Sequence, residues 1–136
     1  MPFLDDIAAR LVAQGVGTLG SNIFLSSKTV IPTGPGPYLQ LNETGGSGSS
    51  RTQNDSATEH PTAQLVSRAS SYPIARTMLK AAYDALGGAP GLYNVTLGSV
   101  FYLSINARQG PTDMGLDGDP NRVVVVFNIE VEKKPS

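Results

Sequence analysis

The sequence contains no cysteine and a single histidine, His60. Without cysteine there is no disulfide framework, no thiol nucleophile and no cysteine-metal site. Charge is scarce as well: 15% of the residues are charged and the net charge is -1. Such a balance gives no bulk attraction to phosphate and argues against sequence-wide nucleic-acid binding, although a polyanion can slide along a near-neutral wall. No long apolar run is present, and the opening Met1-Pro2-Phe3-Leu4-Asp5-Asp6 has no basic region. The expectation is a chain with neither secretory signal nor membrane span, soluble in a cytoplasm until it assembles.

What is present fits one domain spanning residues 1–136, long enough to bury a core without staples. A hydrophobic fraction of 40%, with 15 Gly and 10 Pro, implies that part of the chain lies outside that core. Leu4, Ile7, Ala8, Leu11 and Val12 have the spacing of one helical face, with Asp5 and Asp6 in the first turn and Asp6 placed to pair with Arg10. Gly15 and Gly17 stop this helix. A second helix starts at Ser70 or Ser71 with Pro73 in its first turn. It carries a buried stripe of Ile74, Met78, Ala81, Ala82 and Ala85, a wetter side of Arg76, Lys80 and Asp84, and a stop at Gly87-Gly88.

Short strands are expected around Ile23-Phe24-Leu25, Tyr38-Leu39-Gln40-Leu41 and Thr62 to Arg68. In the next, Phe101, Leu103, Ile105 and Ala107 form the buried side. A final strand runs from Arg122 to Lys133. Its Val123, Val125, Phe127, Ile129 and Val131 share one face, while Val124 and Val126 make its first half apolar on both sides. Either the chain's own loops or a neighbouring subunit must cover that second apolar side, which makes Val124 and Val126 the candidate subunit interface. Residues 42–61 are almost all polar and hold Gly45-Gly46-Ser47-Gly48-Ser49-Ser50, which reads as a polar, flexible hairpin excursion. Together these predict an α/β protein of the α+β type, a mostly antiparallel sheet of about five strands with two helices packed on one face.

A search for chemistry assigns no catalytic, cofactor-binding or metal-binding residue. His60 sits alone in a polar stretch. Asp113, Asp117 and Asp119 with Gly115 and Gly118 lack the ligand order and closing Glu of a calcium loop, and read as a Gly/Asp turn. No Lys-Ser/Thr follows the glycine-rich stretches, so they are not phosphate cradles. Asn42, Asn54 and Asn94 match the glycosylation sequon by chance. Arg51, Arg68, Arg76 and Arg108 are scattered among acids rather than gathered in a patch.

In order along the chain stand Phe3-Leu4-Asp5-Asp6-Ile7-Ala8, Gly15-Val16-Gly17-Thr18, Leu41-Asn42-Glu43-Thr44-Gly45-Gly46, Pro61-Thr62-Ala63-Gln64-Leu65-Val66-Ser67-Arg68, and Gly115-Leu116-Asp117 followed by Arg122. This succession resembles the tail terminator, or minor capsid, proteins of long-tailed bacteriophages. The chain departs from the pattern in the polar insert Ser47 to Glu59 and in extra residues between Asp117 and Arg122. The resemblance implies a non-enzymatic virion protein, a homo-oligomeric and commonly hexameric ring that caps the tail tube, stops its polymerisation and offers a docking surface to the head. The implied partners are the tail tube protein and a head-completion or connector protein, with genome DNA passing through the lumen without sequence-specific binding. The implied location is the head-proximal end of the virion tail, reached from the host cytoplasm. The candidate partner-contact loops hold Glu43, Arg51, Asp113, Asp117 and Asp119. A tail tube or head-closure connector subunit is the alternative, and a cellular ligand-binding domain a more distant one.

Overall fold

The structure, a computed structural model, describes residues 2–25, 37–51, 57–87, 91–97, 100–107, 112–117 and 122–134. Among these the elements run α1 (Pro2–Ala13), β1 (Ile23–Leu25), β2 (Tyr38–Arg51), β3 (Ala57–Ala69), α2 (Tyr72–Ala85), β4 (Leu92–Leu97), β5 (Val100–Ala107), β6 (Thr112–Asp117) and β7 (Arg122–Lys133). The strands form one sheet in the order β1-β2-β3-β7-β5-β4, with β6 also on β7. The β1–β2 pair is parallel and the other pairs are antiparallel. The α+β class expected from the sequence is therefore the one observed, with seven described strands in place of about five.

β7 is the hub. β3 runs along one of its edges from Val123 to Lys133. On the other edge β6 takes Arg122 to Val126 and β5 takes Ile129 to Lys133, so β5 and β6 lie end to end. Alternate side chains of β2, β3 and β7 (Leu39, Leu41, Leu65, Val125, Phe127 and Ile129) point to the helices and join Leu4, Ile7 and Leu11 of α1 and Leu79 and Ala82 of α2 in one core. Each large aliphatic side chain so buried contributes about 1.5–3 kcal/mol. Gly15, at φ 78°, takes the left-handed conformation that closes α1, and Gly87, at φ 94°, does the same for α2. At Gly87 a Cβ would come within 2.4 Å of the Gly91 backbone, so only glycine fits there.

Several local expectations are corrected. Val12 is exposed, and so are Ile74 and Ala81, whereas Ala75 and Leu79 are buried. In α2 the small Ala75–Ala82 side faces the sheet and Ile74 points away, a seating held by Ser67 Oγ of β3, which donates to the Ala75 carbonyl at 2.9 Å. Ser71 is the N-cap, but its side chain makes no capping bond. Asp6 and Arg10 are engaged elsewhere. Asp6 accepts from the Tyr102 hydroxyl at 2.8 Å, and Arg10 Nε donates to the Ala85 carbonyl at 3.0 Å, tying α1 to the end of α2.

In β5 the expected alternation is inverted at its start, with Phe101 exposed and Tyr102 fully buried. A register shift between Tyr102 and Ser104 explains it, since one extra residue flips every side chain before it to the other face. β6 is a strand where a Gly/Asp turn was expected, and it too has a register shift, between Asp113 and Gly115. Finally, the excursion over 42–61 extends β2 and β3. Pairing continues from Asn42 opposite Gln64 to Arg51 opposite Ala57, with shifts after Glu43 and Ser47.

Candidate functional site

The two loops expected to meet partners emerge at opposite ends of the β3–β7 pair. Glu43 is exposed on β2, and Arg51 closes the far end of the hairpin opposite Ala57. Asp117 pairs with Arg122 at the start of β7, beside the Ala69 end of β3, and Asp113 lies opposite Val125. The 13 residues of β3, at a rise of ~3.3 Å each, put the two ends on the order of 40 Å apart. Asp119 lies outside the described residues, and for Arg51, Asp113 and Asp117 the description stops at the backbone. The structure thus does not gather these residues into one site.

Val124 and Val126 stand on the helix-free face, opposite Arg68 and Val66 of β3. Val126 is only 6% exposed and Val66 is buried as well, so the chain shields most of this pair itself. Val124 stays half-buried. Beside them Phe24 packs edge-on against Tyr38, with centroids 6.0 Å apart, and Arg68 donates to Gln40 Oε1 at 2.7 Å. Further along the same face Thr44 and Thr62 share a hydrogen bond of 2.7 Å, and Glu130 is exposed. His60 Nε2 comes 3.9 Å from a Glu132 carboxylate oxygen, both side chains being partly open to solvent. At that distance the contact is a surface ion-pair approach, longer than a hydrogen bond.

A polar cluster that the sequence reading missed lies on the core face at the other end of β7. Lys133 is only 4% exposed, and its Nζ meets Glu59 Oε1 at 2.7 Å and the Lys134 carbonyl at 3.4 Å. Its cross-strand neighbour is Tyr102, whose hydroxyl bonds Asp6. Burial, then the hydrogen bond to Asp6 and the nearby Asp6 and Glu59 charges, raise the Tyr102 hydroxyl well above the usual phenol range. It is therefore held as a protonated donor that fastens α1 to the sheet. No sequence signal marked these residues, because the four come from α1, β3, β5 and β7. Among the described residues no group of three His, Asp or Glu side chains could hold a metal ion. No described helix is long and apolar enough to cross a membrane.

Among the described residues a groove of about 410 Å³ lies beside α2, lined by Val16, Pro37, Pro73, Ile74, Thr77 and Ala81 among others. None of its described lining residues, which also include Asn22 and Met78, is titratable.

No family model and no curated protein matches the chain. Among solved structures, it is similar to a chain in the virion of a native gene transfer agent particle, with a TM-score of 0.61 and 16% sequence identity over 95% of this chain and 84% of that one. At that identity the likeness establishes a shared fold, reached across nearly the whole length of the chain.

Proposed function

We propose that this protein is a non-enzymatic structural subunit of a phage-like virion, and specifically a tail terminator. It closes into a ring, commonly hexameric in such proteins, on the end of the tail tube, halts tube growth and presents a surface to a head-completion or connector protein. Genome DNA passes through its lumen without sequence-specific binding. The subunit works at the head-proximal end of the tail after assembly in the host cytoplasm. The observation that carries this reading is the fold shared with a virion chain over 95% of the sequence. Two features of the subunit accord with it. The Arg51–Ala57 and Asp117–Arg122 strand ends lie at opposite ends of the sheet, as suits a ring that meets a tube on one side and a head on the other. None of the groove's described lining residues is titratable, as suits a subunit without catalysis.

The test is assembly in the absence of the protein. A terminator leaves tails of uncontrolled length that do not join filled heads. Tails of normal length that fail to join indicate a head-closure connector, and absent tails a tube subunit. A turnover screen that finds hydrolysis or transfer, abolished by changing His60 or Asp117, overturns the non-enzymatic reading.

A further inference from the structure

A line of weak pairing crosses the β2–β3 hairpin well short of its tip. Pro61 stands in β3, which pairs with β2 on one edge and β7 on the other, and a proline has no N–H to give to either. Its partner across the β2 ladder is Gly46, which brings no side chain to pack, and a register shift between Glu43 and Gly45 lies just before it. Pairing of β3 with β7 runs from Ala69 to Thr62, and the next pair beyond is Glu59 opposite Lys133. On the body side of this line Thr44 and Thr62 share a hydrogen bond of 2.7 Å.

Beyond the line, side chains join the far segment to β7. Lys133 reaches Glu59 Oε1 at 2.7 Å, and its side chain is only 5% exposed. At the neighbouring position of each strand His60 Nε2 approaches Glu132 at 3.9 Å. Successive residues of a strand point to opposite faces, so one pair stands on the core face and the other on the helix-free face. The two fasteners are unequal. The His60 and Glu132 side chains are 32% and 42% exposed, and solvent screens them. A buried ammonium such as that of Lys133 is far more costly to leave unpaired. Glu59 supplies its counter-charge, and Glu59 belongs to the far segment.

We infer that the paired segments 47–51 and 57–60 form an arm that hinges at Gly46–Pro61 and is latched to β7 by the buried Lys133–Glu59 pair. The arm can open as a unit because the line across Gly46 and Pro61 pairs weakly, while Leu41, Leu65 and Phe127 of the core all lie on the body side of it. It stays docked because opening strips Lys133 of its counter-charge. The position of the arm thus depends on what reaches Lys133: opening requires that water or another carboxylate take the place of Glu59. The inference stands on the subunit alone and does not depend on the terminator reading.

Site-resolved amide exchange on the full chain tests the latch. Glu59→Gln and, separately, Lys133→Met should each speed exchange of the amides in 47–51 and 57–60 together, by about tenfold or more. Amides of Leu65 to Ser67 and the urea midpoint should stay as in the wild type. Lys133→Met removes the buried charge along with the pair, so it keeps the test open where Glu59→Gln, with its unpaired ammonium, fails to fold. His60→Ala, which loses only the exposed pair, should change arm exchange by less than about threefold. A rise shared equally by the arm and Leu65 to Ser67 overturns the arm as a separate unit. A rise confined to 57–60, with 47–51 unchanged, overturns the hinge at Gly46–Pro61. No rise in a folded Lys133→Met, or a larger response to His60→Ala than to Lys133→Met, overturns the latch.

Discussion

The β2–β3 ladder can be compared with itself at its two ends. Near the helices, Leu39 and Leu41 of β2 and Leu65 of β3 have no exposed surface. At the far end β2 reads Gly45-Gly46-Ser47-Gly48-Ser49-Ser50-Arg51 and still pairs with β3. Backbone bonding is the same kind of interaction at both ends, but the Gly and Ser residues of the far end carry no large apolar side chain to bury. A backbone hydrogen bond nets about 1 kcal/mol, while ordering each residue costs about 1–2 kcal/mol. The near end is thus stabilised by side chains. The far end stands close to balance, and a partner that packs on it would shift that balance readily.

The largest expected effect is in amide exchange. Amides of Leu65 to Ser67 should exchange only on global opening, whereas those of Gly46 to Ser50 should exchange faster by a factor on the order of a thousand. Under the proposed terminator role, adding tail tubes should slow the second group. Equal protection at both ends of the isolated subunit would erase the contrast. Next comes Leu65→Ala, which opens a cavity in the core and should destabilise by about 3 kcal/mol in urea unfolding. The matched Ser47→Ala should change stability by less than about 0.5 kcal/mol.

Tyr102→Phe should cost about 1–2 kcal/mol near neutral pH, because Asp6 loses its donor. Its pH dependence has a definite sign. The folded hydroxyl titrates above its ordinary value, so its contribution is intact below about pH 10 and is lost as the pH rises beyond that. The variant should therefore show a shallower alkaline fall in urea midpoint than the wild type. Smallest is Lys80→Ala. Its bond to Asp84, 2.8 Å long on an exposed helix face, should be worth less than about 0.5 kcal/mol and should fade with salt.

Much of the fold was legible because periodicity reports burial. The stripe through Leu4, Ile7 and Leu11, the glycine stops, and the alternation from Val123 to Val131 all describe faces that the structure buries. Legibility failed where something other than period set the direction of a side chain. In β5 the register shift after Tyr102 decided the face. In β4, Asn94 at φ 52° breaks the alternation that would have announced a strand. In α2, apolar residues extend around more than one side, and the side that meets the sheet is the one bonded by Ser67. The exposed apolar side chains were the least visible. Whether Ile74, Tyr93 or Phe101 is covered depends on tertiary seating that no local pattern records.

The placement of β7 bears on when the subunit comes into being. The last strand in chain order is the one on which β3, β5 and β6 all pair. As the chain leaves the ribosome, at about 5–20 residues per second, β2 and β3 can meet early, and so can β4 and β5. Neither unit is joined to the other until the segment from Arg122 to Lys133 has emerged. A chain that stops before Arg122 thus has no completed sheet. Closing Leu65 onto Phe127 across most of the intervening chain is also a long-range step, which places final folding in the slower, millisecond-to-second regime of sheet proteins.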